Sequence, residues 1–259
     1  MLMNLDHESI HLWCANPADA LVESTAEACA SLLSEDERIR WKRFRFDRQQ
    51  REFLTTRALV RTALSRYFPL APEAWRFKLN RYGKPDIDPD RGLQFNLSNS
   101  PALVVCLIAR QAAVGVDVEP IARAEKIVEV AREVFSPLEM AEFQQLQGRE
   151  RLDRAVSLWT LKESYIKARG MGLSLPLKKF SFLFGGPEGI RLHLDSSLCD
   201  DAGRWRFCLM DHAGHRVAMM VERAAAPKLQ LWEQRPLLSD GSRLALGQVQ
   251  WFPNSTASR

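Results

Sequence analysis

Val114-Gly-Val-Asp-Val-Glu119 reads as a β-strand. Its valines recur at every second position, with Gly115, Asp117 and Glu119 between them. A period of two sends the valines to one face and both carboxylates to the other. Along such a strand the carboxylates stand about 6.6 Å apart. Two neighbouring anions repel unless a cation or a proton lies between them. A polar strand end at a turn would carry the same pattern with no chemistry attached.

The apolar run Ala102 to Ala109 precedes this strand, and Arg110-Gln111 turns the chain between the two. Farther upstream lie Phe95-Asn-Leu-Ser-Asn-Ser100 and the turn Arg81-Tyr-Gly-Lys-Pro85. Ser34 is followed by Glu37 at capping-box spacing, which predicts a helix from there through about Arg43. The apolar pattern breaks near Asp47, and a second helix is predicted from about Arg48 to Tyr67, stopped by Pro69 and Pro72. His11 to Cys14 reads as a short strand. Downstream, Ile121 to Phe135 is predicted helical, and Ser136-Pro137 opens another helix. Leu152 to Arg169 forms a further helix ended by Gly170-Met-Gly172. On it Trp159, Glu163 and Lys167 are each four apart and share a face, leaving Leu158, Leu161 and Tyr165 for the core. Leu175 to Leu183, Ile190 to Leu194, Trp205 to Met210 and Val217 to Val221 read as strands. From about Ala224 periodicity fades, and a tail docked through Trp232 and Trp251 is expected.

The 259 residues allow one large domain or two modest ones. With 46% hydrophobic and 26% charged residues the composition is that of a globular chain with a sizeable core. The longest apolar run falls far short of a membrane span. The opening MLMNLDHESI has no basic residue, unlike a signal peptide, so a cytoplasmic location is expected. Cys14, Cys29, Cys106, Cys199 and Cys208 form no CxxC pair and are expected as free thiols. Net charge is only +4, but ten Lys and Arg residues crowd between Arg38 and Arg66 against Asp47 and Glu52. Such a local excess suits an anionic ligand or partner, and a solvated helix face is the plainer alternative.

Gly115-Val-Asp-Val-Glu119, Phe135-Ser-Pro-Leu-Glu139 and Trp159-Thr-Leu-Lys-Glu-Ser-Tyr-Ile-Lys167 together resemble the 4′-phosphopantetheinyl transferases of the surfactin-synthetase-activating type. Gly170-Met-Gly-Leu-Ser-Leu175 continues the likeness. Upstream, Arg43-Phe44, Arg57-Ala-Leu-Val-Arg61, Tyr82-Gly-Lys-Pro85 and Asn96-Leu-Ser98 fit as well. The resemblance covers about residues 10 to 222 and implies an α/β (α+β) pseudo-dimer of two similar halves with the active site in the cleft between them. The halves would be 1–119 and 120–223, with 224–259 as the tail. The implied reaction moves phosphopantetheine from coenzyme A to a serine hydroxyl of an acyl or peptidyl carrier domain, releasing 3′,5′-ADP.

The resemblance also implies a site. Asp117, Glu119 and Glu163 would hold Mg²⁺, a hard cation suited to carboxylate and phosphate oxygens. Lys167 would offset phosphate charge, and Glu163 would serve as the base for the carrier's serine. Lys84, Ser98, Arg51, Arg57 and Lys162 are expected to contact coenzyme A, with Arg40 in the same basic region and Glu139 as a further acid nearby. The family usually has histidine after the serine; here Asn99 takes that place, able to donate a hydrogen bond but without charge. A module that binds coenzyme A or a carrier without turnover is therefore the alternative reading. A monomer is expected, with neither nucleic acid nor membrane as partner.

Overall fold

The computed structural model describes residues 2–185, 189–235, 238 and 241–253. In chain order the elements begin β1 (Ser9–Ala15), α1 (Glu23–Ser31), α2 (Glu35–Lys42), α3 (Asp47–Ser65), β2 (Phe77–Leu79), β3 (Pro85–Ile87), β4 (Leu93–Asn99) and β5 (Val104–Arg110). They continue with β6 (Val114–Pro120), α4 (Ala124–Val134), α5 (Pro137–Phe143), α6 (Gly148–Arg169), β7 (Phe180–Phe184) and β8 (Ile190–Leu194). The last are β9 (Trp205–His212), β10 (His215–Glu222), β11 (Lys228–Glu233), β12 (Ser242–Leu244) and β13 (Trp251–Pro253). No helix among the described residues is long and apolar enough to cross a membrane. The chain divides into two units, each mixing helices with sheet, which is the expected α/β class.

The first unit comprises Met1–Leu79, Pro85–Gln111 and Lys228–Gly247. Its sheet runs β12-β11-β1-β5-β4, with β1 parallel to β11 and antiparallel to β5. The helix α3 lays Leu54, Ala58, Leu59, Ala63 and Leu64 into the core beside Trp13, Cys106 and Ile108. Two features here lay outside the sequence reading. The helix α1 was not anticipated, because it buries only Cys29 and so leaves no apolar stripe. The stretch after Ala224, expected as a tail docked through Trp232 and Trp251, supplies three strands. Leu231 is buried in β11, and Trp232 stacks on Trp13 with centroids 5.4 Å apart. Their partners lie some two hundred residues earlier, a distance over which local periodicity carries no signal.

The second unit comprises Asn80–Lys84, Ala112–Pro227 and Gln248–Arg259. Its antiparallel sheet runs β13-β9-β10-β6, and α6 packs across β6 and β10. Leu158, Leu161 and Tyr165 face the core as expected. A separate hairpin pairs β7 with β8, starting at Phe180 and not at Leu175, because two short 3-10 turns fill the interval. The helix α6 ends on Gly170, whose φ of 62° lets its N–H reach back to the carbonyls of Ile166 and Lys167.

Gly115 sets the spacing between strand and helix. A Cβ placed there would stand 2.0 Å from the Ser164 carbonyl oxygen and 2.4 Å from the Ala168 nitrogen. The face of β6 bearing Gly115, Asp117 and Glu119 therefore lies under α6 and is not a solvent face. Asp117 and Glu119 are both buried.

Candidate active site

Two elements of the second unit bring the acids together. β6 carries Asp117 and Glu119, and α6 carries Trp159, Glu163 and Lys167 on successive turns. Lys167 Nζ donates to Asp117 Oδ1 at 2.7 Å. Arg123 Nη1 donates to both oxygens of Glu119, at 2.9 and 2.7 Å, and the Trp159 indole N–H donates to Oε1 at 3.1 Å. Glu163 is half-buried and makes no hydrogen bond or ion pair among the described residues. Lys84 closes the edge of this region, its ammonium donating to the Val114 carbonyl at 3.0 Å and that of Ala168 at 3.4 Å.

Electrostatics couple the three carboxylates. Burial pushes Glu163 above the usual carboxylate range, Asp117 and Glu119 push it farther, and Lys167 opposes them. Burial and then Asp117 likewise raise Glu119, against the pull of Arg123 and Trp159. An acid held above its unfolded value binds protons more tightly in the folded state, so stability declines as pH climbs from the ordinary glutamate range through the raised one. Glu163→Gln is expected to remove part of that penalty. At pH 7 the unliganded variant should melt above the parent, by about 2–4 °C for each kcal/mol relieved, and its melting temperature should depend less on pH between 4 and 8. Melting curves across that range check this.

Among the described residues no three His, Cys, Asp or Glu side chains are gathered as a metal-ligand set. Lys167 and Arg123 engage the two strand acids, and each supplies the positive charge that a cation would. The donor set nevertheless fits Mg²⁺ in kind, being three hard carboxylates, with Asp117 beside Glu119 and Glu163 raising the affinity of both for positive charge.

Lys162 and Glu139 take a different part from the one expected of them. The Lys162 ammonium is sealed from solvent, donating to Glu139 Oε2 and to the Phe180 carbonyl, both at 2.8 Å. Glu139 also accepts from the backbone N–H groups of Ser136 and Phe182, and Ser136 caps α5. The pair ties α6 to α5 and β7 and keeps the Lys162 ammonium buried. Removing one partner of such a buried pair costs about 3–5 kcal/mol, because the other charge is stranded. Lys162→Met is expected to lose that much in denaturant unfolding, and the double variant with Glu139→Gln to recover part of it.

The first unit holds the basic residues. Arg40, Arg57 and Asn99 line a pocket of about 250 Å³ together with Phe44, Phe53 and Glu52. The Arg57 and Arg40 guanidinium carbons lie 5.2 and 5.7 Å from the Phe53 centroid. A larger pocket of about 510 Å³ shares Arg40 and Arg57 and adds Arg61, Arg76, Glu37 and Trp75. Glu37 pairs with Arg61 at 2.7 Å and with Arg57 at 3.6 Å while completing the capping box of α2. Burial lowers the Arg57 pKa, Arg40 and Arg61 lower it farther, and Glu37 opposes them. The Asn99 amide donates to Glu52 at 3.3 Å. Ser98 is buried on β4, and Arg51 is half-buried on α3 outside the lining of both pockets.

Residues 113–220 match the family model described as the 4′-phosphopantetheinyl transferase superfamily. The 4′-phosphopantetheinyl transferase Sfp of Bacillus subtilis (strain 168) is 33% identical over 181 residues, covering 69% of this chain and 75% of that protein. The chain belongs to the 4′-phosphopantetheinyl transferase family. The transferase HetI of a Nostoc species is 31% identical over 175 residues, covering 66% of this chain and 73% of its own. A phosphopantetheinyl transferase of a Thraustochytrium species is 31% identical over 208 residues, covering 75% and 72%.

The part of this transferase matched by the family model contains Asp117, Glu119, Glu139, Lys162, Glu163 and Lys167. Three residues that matter to the geometry had no assigned role in the sequence reading. Arg123 was hidden because its importance lies in one guanidinium nitrogen reaching back to both oxygens of Glu119, four residues earlier. Glu37 was visible only as a cap, although the same carboxylate anchors Arg61. Trp159 stood out by spacing, yet nothing in the spacing showed its indole N–H aimed at Glu119.

Proposed function

We propose that this transferase moves 4′-phosphopantetheine from coenzyme A to a serine hydroxyl of an apo acyl or peptidyl carrier domain. The serine oxygen bonds to the phosphorus bearing the pantetheine arm, the bridging P–O bond breaks, and 3′,5′-ADP departs. The observation that supports the reading most is the coupling of Asp117, Glu119 and Glu163 beside Lys167. These three acids would hold Mg²⁺, which when bound supplies charge neutralisation at the diphosphate. Glu163, its proton affinity raised by burial and by Asp117, and not tied up in an ion pair among the described residues, takes the serine proton. Lys167 sits one turn along α6 from Glu163, about 6 Å in rise, and offsets negative charge on the departing phosphate. The pocket lined by Arg40, Arg57 and Asn99 fits an anionic part of coenzyme A, since guanidinium groups pair with phosphate through two hydrogen bonds. Ser98 beside Asn99, Arg51, and Lys84 at the α6 terminus complete the expected contacts. Lys162 is left out of them.

The test is intact-mass measurement of apo carriers, acyl and peptidyl, incubated with the enzyme, coenzyme A and Mg²⁺. A gain of one phosphopantetheine is expected on at least one. No gain on any carrier by folded enzyme would overturn the proposal. Coenzyme A binding without product would favour the turnover-free module, toward which Asn99 and its bond to Glu52 point.

A further inference from the structure

We propose that Arg123 is a built-in competitor of the divalent cation, occupying Glu119 until the metal takes its place. This rests on the reading that Glu119 is a metal ligand. A carboxylate binds a hard cation through the oxygens that Arg123 now holds, both of them, at 2.9 and 2.7 Å. A guanidinium nitrogen astride both oxygens and a metal ion cannot both take the same lone pairs. The Arg123 side chain is 49% exposed, so it can swing into water, whereas Glu119 at 11% exposed cannot follow it. Trp159 donates to Oε1 from α6 and fixes the carboxylate, so departure of the arginine leaves the acceptor in position. The exchange is cheap on the arginine's side, because its half-exposed guanidinium regains water as it leaves. It also keeps a buried acid from facing Asp117 uncompensated before the metal arrives. Arg123 thus sets the cation concentration at which the site fills, and on release adds a mobile positive charge at its edge.

The experiment titrates Mn²⁺ onto the intact enzyme–coenzyme A complex, with free Mn²⁺ read by electron paramagnetic resonance. Arg123→Gln is expected to bind Mn²⁺ roughly two- to fivefold more tightly than the parent. The gap should narrow in about 1 M salt, since the arginine is half-exposed and its charge is partly screened. In a Glu119→Gln background, Arg123→Gln should make no difference. Parent-like or weaker binding by Arg123→Gln in the natural background overturns the proposal. So does a gain that persists without the Glu119 carboxylate, since that would be a field effect and not an exchange of ligands. If parent and Glu119→Gln bind Mn²⁺ equally, the reading of Glu119 as a ligand fails first, and the two failures are thereby told apart.

Discussion

Gly115→Ala is expected to destabilise the protein by about 3 kcal/mol or more, seen as a melting temperature lower by roughly 6–12 °C or as failure to fold. The added methyl would meet the Ser164 carbonyl oxygen at 2.0 Å, the Ala168 nitrogen at 2.4 Å and the Ala168 Cα at 2.9 Å. All three are backbone atoms inside a long helix, so no rotamer change can make room. Either α6 retreats from β6 or the strand bends, and both open a close-packed core. Gly247, where a Cβ would meet nothing within 4 Å, is the control, and Gly247→Ala should melt like the parent. Parent-like melting of Gly115→Ala would mean that α6 does not lie on β6 as described. The placement of Glu163 and Lys167 opposite Asp117 would then lose its basis.

Asp117→Asn is expected to lower carrier modification by about a thousandfold or more while the protein stays folded. A single group acting on developing charge in a water-poor site is worth about a hundred- to a thousandfold. Asp117 does more than one such group, because it pairs with Lys167 and raises both Glu119 and Glu163. Its loss should cost little stability. Lys167 is 26% exposed and can turn to water, and relief of repulsion on the two glutamates offsets the missing ion pair. Initial rates of holo-carrier formation, measured beside melting curves, check both halves. Loss of activity with equal loss of folding would make Asp117 a structural residue.

Much of the second unit was legible because its elements obey local rules. Alternation along Val114 to Glu119 gave β6, and the four-residue spacing of Trp159, Glu163 and Lys167 gave the active face of α6. The alternation could not show that the carboxylate face is covered, since that depends on Ser164 and Ala168 approaching Gly115. Nor could the motif separate its two lysines. Lys167 is four residues from Glu163 and shares its face, while Lys162 is turned about 100° away and meets Glu139. In the first unit, the Ser34–Glu37 capping box and the break near Asp47 fixed α2 and α3. β11 was missed because a parallel partner at the other end of the chain leaves no mark on six residues. The basic cluster was visible as charge. Its sorting into Arg40 and Arg57 in a pocket, Arg61 buried on Glu37, and Arg51 aside depends on helix phase and on a carboxylate counted only as a cap.

The most direct measurement is the melting temperature of the enzyme with saturating coenzyme A as Mg²⁺ is added, for the parent, Asp117→Asn and Glu163→Gln. Three carboxylates sharing one cation with the diphosphate predict a saturable rise in the parent and little or none in either variant. A rise of equal size in all three would place the cation elsewhere and contradict the account.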